Sequence, residues 1–380
     1  MSKRVRNVTN SCLTAVLWAL LSVSCSLIDD TLGECAHKDN YELDYELRLV
    51  TNMTTELQTQ LSTQTEISLA HSLRTYLSDI FTDFAHDVDL SFYDTQGDSL
   101  RLQHDEHIMD ANQASYTLNL PKRQYMHLAT ANIVDNELVD LVDDERCHRA
   151  KIVQLQGATP SVAGASTRPA ADGSPVDNAI ESHSTGIFTA RQPMEVLEGI
   201  DQQFDVRLYM ANCSAVLVID TIGSGIKGLW VYSTGFATGF NVADSSYIFV
   251  SDPPIVRTRQ VINEDDESGE LAFCSVNFPS READNGGEHN TVTRTIIETE
   301  DPFITPLAEE SLWEFHIYAT ASDESITLTK LFIRRPLRAG QLMIIKAKAR
   351  PDGSVDSPSE KVGISVTLNW NEGGHYNPEF

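Results

Sequence analysis

Apolar residues recur at every second position through most of this chain, and that spacing constrains the fold more than any other feature. Tyr41, Leu43, Tyr45, Leu47 and Leu49 follow it, as do Val88, Leu90 and Phe92. The same texture returns over 204–219, 229–232, 271–278, 312–319, 326–333, 342–349 and 362–370. Successive side chains of an extended strand point to opposite faces, so each run has one face to bury and one to solvate. Gly, Asp, Asn and Pro between the runs supply the turns. The pattern predicts half-buried antiparallel strands and an all-β fold. One segment departs from it. Leu57, Leu61, Leu69, Leu73, Leu77, Ile80, Phe81 and Phe84 fall at helical intervals, which predicts one helix over about 54–84 that lays a core stripe against the first β domain.

A chain of 380 residues exceeds one ordinary core, so two domains are expected. The stretch 156–186 is rich in Gly, Ala, Ser, Thr and Pro and predicts a mobile loop. The run Gly186 to Val196 still reads as a strand of the first domain, and a fresh strand opens at Phe204. The boundary is therefore expected near Gly199, with domains over 41–199 and 200–380. No short-period repeat is present.

The first residues have a different logic. Lys3, Arg4 and Arg6 precede an apolar run from Leu13 to Leu21, and small residues lead to Cys25. This is a signal peptide over 1–24. Leu21-Ser-Val-Ser-Cys25 resembles the lipobox of bacterial lipoproteins, with cleavage between Ser24 and Cys25 and a lipid such as palmitate on Cys25. The usual leucine stands one place further upstream here, and a plain secretory signal with Cys25 unmodified is the alternative. The apolar run is too short to span a ~30 Å hydrocarbon core. Residues 25–40 would then be a lipidated tether. Asp29 and Asp30 resemble the acidic export signal that sends lipoproteins of the Bacteroides group to the outer face of the cell.

The net charge is −27, and loss of Lys3, Arg4 and Arg6 with the leader makes it more negative. Such a surface repels nucleic acid and anionic head groups, so acyl chains rather than a basic patch would hold the protein on the outer membrane. Cys35, Cys147, Cys213 and Cys274 are widely spaced and form no CxxC pair, which argues against zinc. Cys213 and Cys274 lie in apolar runs and read as buried free thiols.

Clusters of chemistry are weak. His104-Asp-Glu-His107 gathers four ligand types, but neighbours on a strand point apart and cannot converge on one ion. Asp143-Asp-Glu145 and Glu264-Asp-Asp-Glu267 lack the glycine and ligand spacing of a calcium loop. No GxSxG, P-loop or GxGxxG turn occurs. Neither a cofactor nor a metal is expected. Trp230, Trp313 and Trp370 could stack on sugars, yet each lies within a strand pattern that favours a core role. Asp30-Thr-Leu32, Asp98-Ser-Leu100 and Asp220-Thr-Ile222 resemble a short O-glycosylation acceptor motif that also recurs by chance.

The segment 25–35 with its spaced cysteines, the strand at Tyr41, the run 43–57, the segment 80–92 and the closing Val366-Thr-Leu-Asn-Trp370 resemble the FimB/Mfa2 family of fimbrial subunits of Bacteroidales. The resemblance spans essentially the whole mature chain. It implies two transthyretin-like Greek-key β-sandwich domains and a non-enzymatic role as anchor or accessory subunit of a type V pilus, with fimbrial stalk or accessory subunits as partners. Such subunits associate by strand complementation, which satisfies the open main-chain groups of a sheet edge. Val362, Ile364, Val366, Leu368 and Trp370, on one face of the last strand, are the candidate partner strand, and the strand from Tyr41 to Val50 is the other terminal candidate. In this pilus type stalk subunits lose their first strand to an arginine-specific protease. Arg48 lies inside the strand with no arginine-bearing linker behind it, so a retained first strand suits an anchor. A glycan-binding surface lipoprotein of a polysaccharide-uptake system, with a host or bacterial surface glycan as partner, is the alternative. A carboxylate-based hydrolase is a distant third, because acidic pairs are too numerous here to be informative.

Overall fold

The computed structural model describes residues 40–49, 67–82, 88–95, 101–108, 115–131, 139–143, 151–155, 175–176, 178–198, 201–242, 245–261, 269–282, 292–297, 311–356 and 364–367. The described chain is all-β with one helix. The first elements are β1 (Asn40–Leu49), α1 (Ile67–Thr82), β2 (Val88–Asp94), β3 (Arg101–Ile108), β4 (Ser115–Pro121), β5 (Gln124–Ala131), β6 (Val139–Asp143), β7 (Lys151–Leu155), β8 (Ile180–Glu181), β9 (Phe188–Glu195) and β10 (Gln202–Met210). Then follow β11 (Cys213–Asp220), β12 (Gly228–Thr234), β13 (Gly239–Asn241), β14 (Ser246–Ile248), β15 (Val256–Arg257), β16 (Arg259–Val261) and β17 (Glu270–Asn277). The chain ends with β18 (Val292–Ile297), β19 (Trp313–Thr320), β20 (Ile326–Ile333), β21 (Gln341–Ala349), β22 (Val355–Asp356) and β23 (Ile364–Thr367).

Seven strands pair in the order β3-β2-β5-β9-β10-β1-β4. In a flat sheet β4 and β5 would stand about 19 Å apart at ~4.8 Å per strand step. Only Lys122 and Arg123 join them, a link that reaches roughly 10 Å. The sheet must therefore fold over, and it does so where β9 meets β10 through two residue pairs, Tyr209 with Thr189 and Met210 with Phe188. Two facing layers result. Tyr116, Leu118, Leu120, Val206 and Leu208 on one side share a core with Leu90, Phe92, Tyr125, Ala129 and Met194 on the other. Leu73, Leu77 and Ile80 of α1 enter the same core, as their helical spacing predicts. The Tyr125 hydroxyl donates to the Pro121 carbonyl at 2.7 Å, and Arg123 pairs with Asp94, which ties down the corner.

The second sandwich has a sheet ordered β16-β17-β11-β21-β22, with β23 also on β21, facing one ordered β18-β20-β19-β12-β15-β8. Leu217, Phe273, Met343 and Ile345 pack from the first sheet against Val231, Phe315, Ile317 and Leu331 of the second. The next residues over on β11, β17 and β21, namely Val216, Val218, Cys274, Val276, Leu342 and Ile344, turn the other way and join the core that holds α1. That sheet is thus buried on both faces, which explains why β11 and β21 read as almost continuous apolar runs. Thr258, between β15 and β16, carries the chain from one sheet to the other, and its hydroxyl donates to the Val231 carbonyl at 2.6 Å. A small sheet, β14-β13-β7-β6, sits beside a cluster of Tyr93, Leu128, Phe240 and Phe278.

Two expectations need correction. The boundary near Gly199 falls too early: β10 belongs to the first sheet, and the chain crosses to the second sandwich at Ala211-Asn212. Local alternation carries no information about which sheet a strand joins. The expected mobile loop 156–186 is not loop-like at its distal end. Val176, Ser182 and His183 are buried, and β8 runs parallel to β15, with Ile180 opposite Val256. Composition missed this because much of that burial is met by polar side chains that find partners. Helix α1 lies within the predicted 54–84; residues 54–66, 83–84 and 156–174 fall outside the described residues.

Candidate functional site

The two terminal strands differ in how they are held. β1 lies inside its sheet, parallel to β10 over Leu43–Leu49 against Gln202–Leu208 and antiparallel to β4 over Asn40–Glu46 against Pro121–Ser115. Both of its edges are therefore satisfied. Among the described residues β23 pairs on one side only, Ile364 with Ile344, Ser365 with Met343, Val366 with Leu342 and Thr367 with Gln341. β22 holds the far end of the same β21 edge through Lys348 with Asp356 and Ala349 with Val355. Between them, Ile345, Lys346 and Ala347 pair only with β11 among the described residues. Among the described residues, the β21 edge is thus paired in two short pieces. Of the candidate partner strand, Ile364 and Val366 are in register on this edge; Val362, Leu368 and Trp370 lie outside the described residues, as does Cys25.

Among the described residues the candidate chemical clusters form no metal centre. His104, Asp105, Glu106 and His107 are successive positions of β3, opposite Phe92, Ser91, Leu90 and Asp89. Among the described residues no group of three or more His, Cys, Asp or Glu could hold a metal ion. Asp143 ends β6, whereas Asp144, Glu145 and Glu264 to Glu267 fall outside the described residues. Trp313 is fully buried and its indole donates to the Arg335 carbonyl at 2.9 Å. Trp230 is half-buried against Tyr232 and Tyr318. The large apolar side chains exposed among the described residues, Leu197, Ile222 and Ile326, include no aromatic ring.

Cys213 and Cys274 are free and buried. They face opposite sides of their sheet, Cys213 in the sandwich core and Cys274 in the core around α1, so they cannot join. Burial pushes Cys274 up to about 12 and Cys213 well above the ordinary thiol value, which makes both inert as nucleophiles at neutral pH.

Two buried polar groups escaped the sequence reading. Glu314 and His316 alternate with Trp313, Phe315 and Ile317 along β19, a sign that they share the outer face, and Lys330 stands opposite His316 on β20. All three are buried there. One Glu314 carboxylate oxygen accepts from His316 Nε2 at 2.7 Å and from Lys330 Nζ at 3.3 Å. Burial lowers the His316 pKa more than the Glu314 hydrogen bond raises it, and burial lowers that of Lys330 as well. The second group, His183 with Asn212, sits where the sandwiches meet. Its signal in sequence was faint: an asparagine interrupting the apolar run 204–219.

No family model matches the chain, and no curated protein does. Among solved structures it is similar to a candidate adhesin from Bacteroides ovatus ATCC 8483, at 10% identity over 79% of this chain and 84% of that one, with a TM-score of 0.44. It is similar to candidate polysaccharide binding proteins from Bacteroides thetaiotaomicron VPI-5482, at 8% identity over 84% and 99%, with a TM-score of 0.46. A third similarity is to the fimbrial anchor protein Mfa2 from Porphyromonas gingivalis, at 9% identity over 83% and 95%, with a TM-score of 0.36. Likenesses this distant transfer no residue role to this chain.

Proposed function

We propose that this protein is a lipid-anchored fimbrial subunit of the outer membrane, a non-enzymatic anchor or cap that joins its neighbour through exchange of β23 at the β21 edge. The observation that carries the reading is the contrast between the terminal strands. β1 is paired along both edges and, among the described residues, β23 along one edge over four residues. A strand locked on both sides suits the end of the chain nearest the proposed lipid on Cys25. A short edge strand such as β23 can leave β21 and pair with a partner's sheet instead, strand exchange that needs no chemistry beyond open N–H and C=O groups. The lipobox and the family resemblance in sequence support the same reading.

The test is truncation after Gly363 in cells that bear the fimbria. The truncated protein is expected to fold, to stay in the membrane fraction and to lose co-purification with fimbriae. A truncated protein that folds, reaches the surface and still co-purifies with fimbriae would exclude β23 as the strand exchanged with the neighbour.

A further inference from the structure

We infer that residues 182–187, latched by Asn212, form a clasp that locks the two sandwiches into one mechanical unit. Ala211 and Asn212 are the direct link between β10 of the first sandwich and β11 of the second. The chain also crosses between the sandwiches over 182–187, from β8 beside β15 to β9 in the first sheet. Residues 182–187 bond to both sides of the Ala211-Asn212 link. Towards the second sandwich, the Val276 N–H donates to Ser182 Oγ at 2.7 Å and the His183 N–H to the Val276 carbonyl at 3.0 Å. Towards the first, the Gly186 N–H donates to the carbonyl of Ile80 in α1 at 2.8 Å. The Ala211 N–H donates to the Ile187 carbonyl at 2.7 Å.

Asn212 closes the ring. Its Oδ1 accepts from the Ile187 N–H at 2.7 Å, which fixes its Nδ2 as the donor to His183 Nδ1 at 2.8 Å. Its carbonyl accepts from the Gly340 N–H at 2.8 Å, just before β21 of the second sandwich. Ser182, His183 and Asn212 are fully buried, so these bonds do not compete with water. One side chain thus holds both ends of the clasp while its backbone holds the second sandwich. In a fimbrial subunit, the reading on which the mechanical role rests, tension between an N-terminal tether and a C-terminal partner would pass through the Ala211-Asn212 link. The clasp removes that link as a hinge.

The test uses the purified full chain and needs no fimbria, so its failure is distinct from failure of the fimbrial reading. Wild type is expected to unfold in one transition. Asn212→Ala is expected to separate it into two, and to raise thermolysin cleavage within 182–187 by tenfold or more while the rest of each sandwich resists. A variant that unfolds in one transition and keeps 182–187 resistant would overturn the proposal. Should Asn212→Ala fail to fold, hydrogen exchange in wild type decides. The amides of His183, Ile187, Ala211 and Gly340 are expected to exchange as one cooperative group. Exchange of His183 and Ile187 at rates unrelated to Ala211 and Gly340 would overturn it.

Discussion

At the scale of single residues, the buried histidines decide how this protein meets acid. His183 accepts from Asn212 through Nδ1 and packs edge-on to Phe278 with ring centres 5.0 Å apart. A proton on Nδ1 would set donor against donor, and burial alone holds the His183 pKa down to about 3. Its folded value lies below the unfolded one, so the folded state binds fewer protons between them. The stability it contributes is fully present above about pH 6.5 and is lost as pH falls towards about 3. The loss integrates to about 5 kcal/mol at the acid end, with His316 adding in the same direction. Urea unfolding of wild type across pH 7 to 4 should show that slope, and His183→Gln should flatten it. Glu314 makes a second case. Glu314→Ala strands the Lys330 ammonium among buried groups and is expected to cost about 3–5 kcal/mol, measured by the same denaturation. Replacing Glu314, His316 and Lys330 together by apolar residues should cost far less, since no charge is then left unpaired.

At the scale of elements, how a strand is flanked sets its lifetime. Amides of β23 at 364–367 should exchange at least about tenfold faster than those of β1 at 43–49, because β23 opens by breaking pairs on one edge. Equal protection in native-state exchange would count against an exchangeable β23. Sequence reading succeeded where burial is one-sided. Val88, Leu90 and Phe92 alternate and form β2, and Leu73, Leu77 and Ile80 keep their helical stripe in α1. It took 204–219 as one run, yet the chain bends at Ala211-Asn212 and enters another sheet, where β11 is buried on both faces. It missed the clasp because Ser182 and His183 look solvated until Asn212 and Val276 are brought beside them by residues far along the chain. The edge position of β23 was out of reach for the same reason, since pairing partners are not encoded in the periodicity of a single run.

At the scale of the whole molecule, a net charge of −27 gives an anionic membrane no electrostatic hold on this chain, and no helix among the described residues is long and apolar enough to cross one. On the proposed reading, attachment falls to Cys25. Cys25→Ala is expected to move the protein from the membrane fraction to the soluble one and to abolish incorporation of radiolabelled palmitate; equal membrane retention would refute the lipid anchor. The pairing of β1 with β10 also dictates an order of assembly. Leu43 has Leu118 on one side but finds its other neighbour only at Gln202, so β1 cannot be completed until more than half of the chain has been made. Contacts so distant along the sequence form slowly, and meanwhile β1 and β4 lack the strand that finishes their sheet. A strand near the start of the described chain thus stays unfinished until 202–208 arrive, and its folding depends on keeping that open edge from other chains.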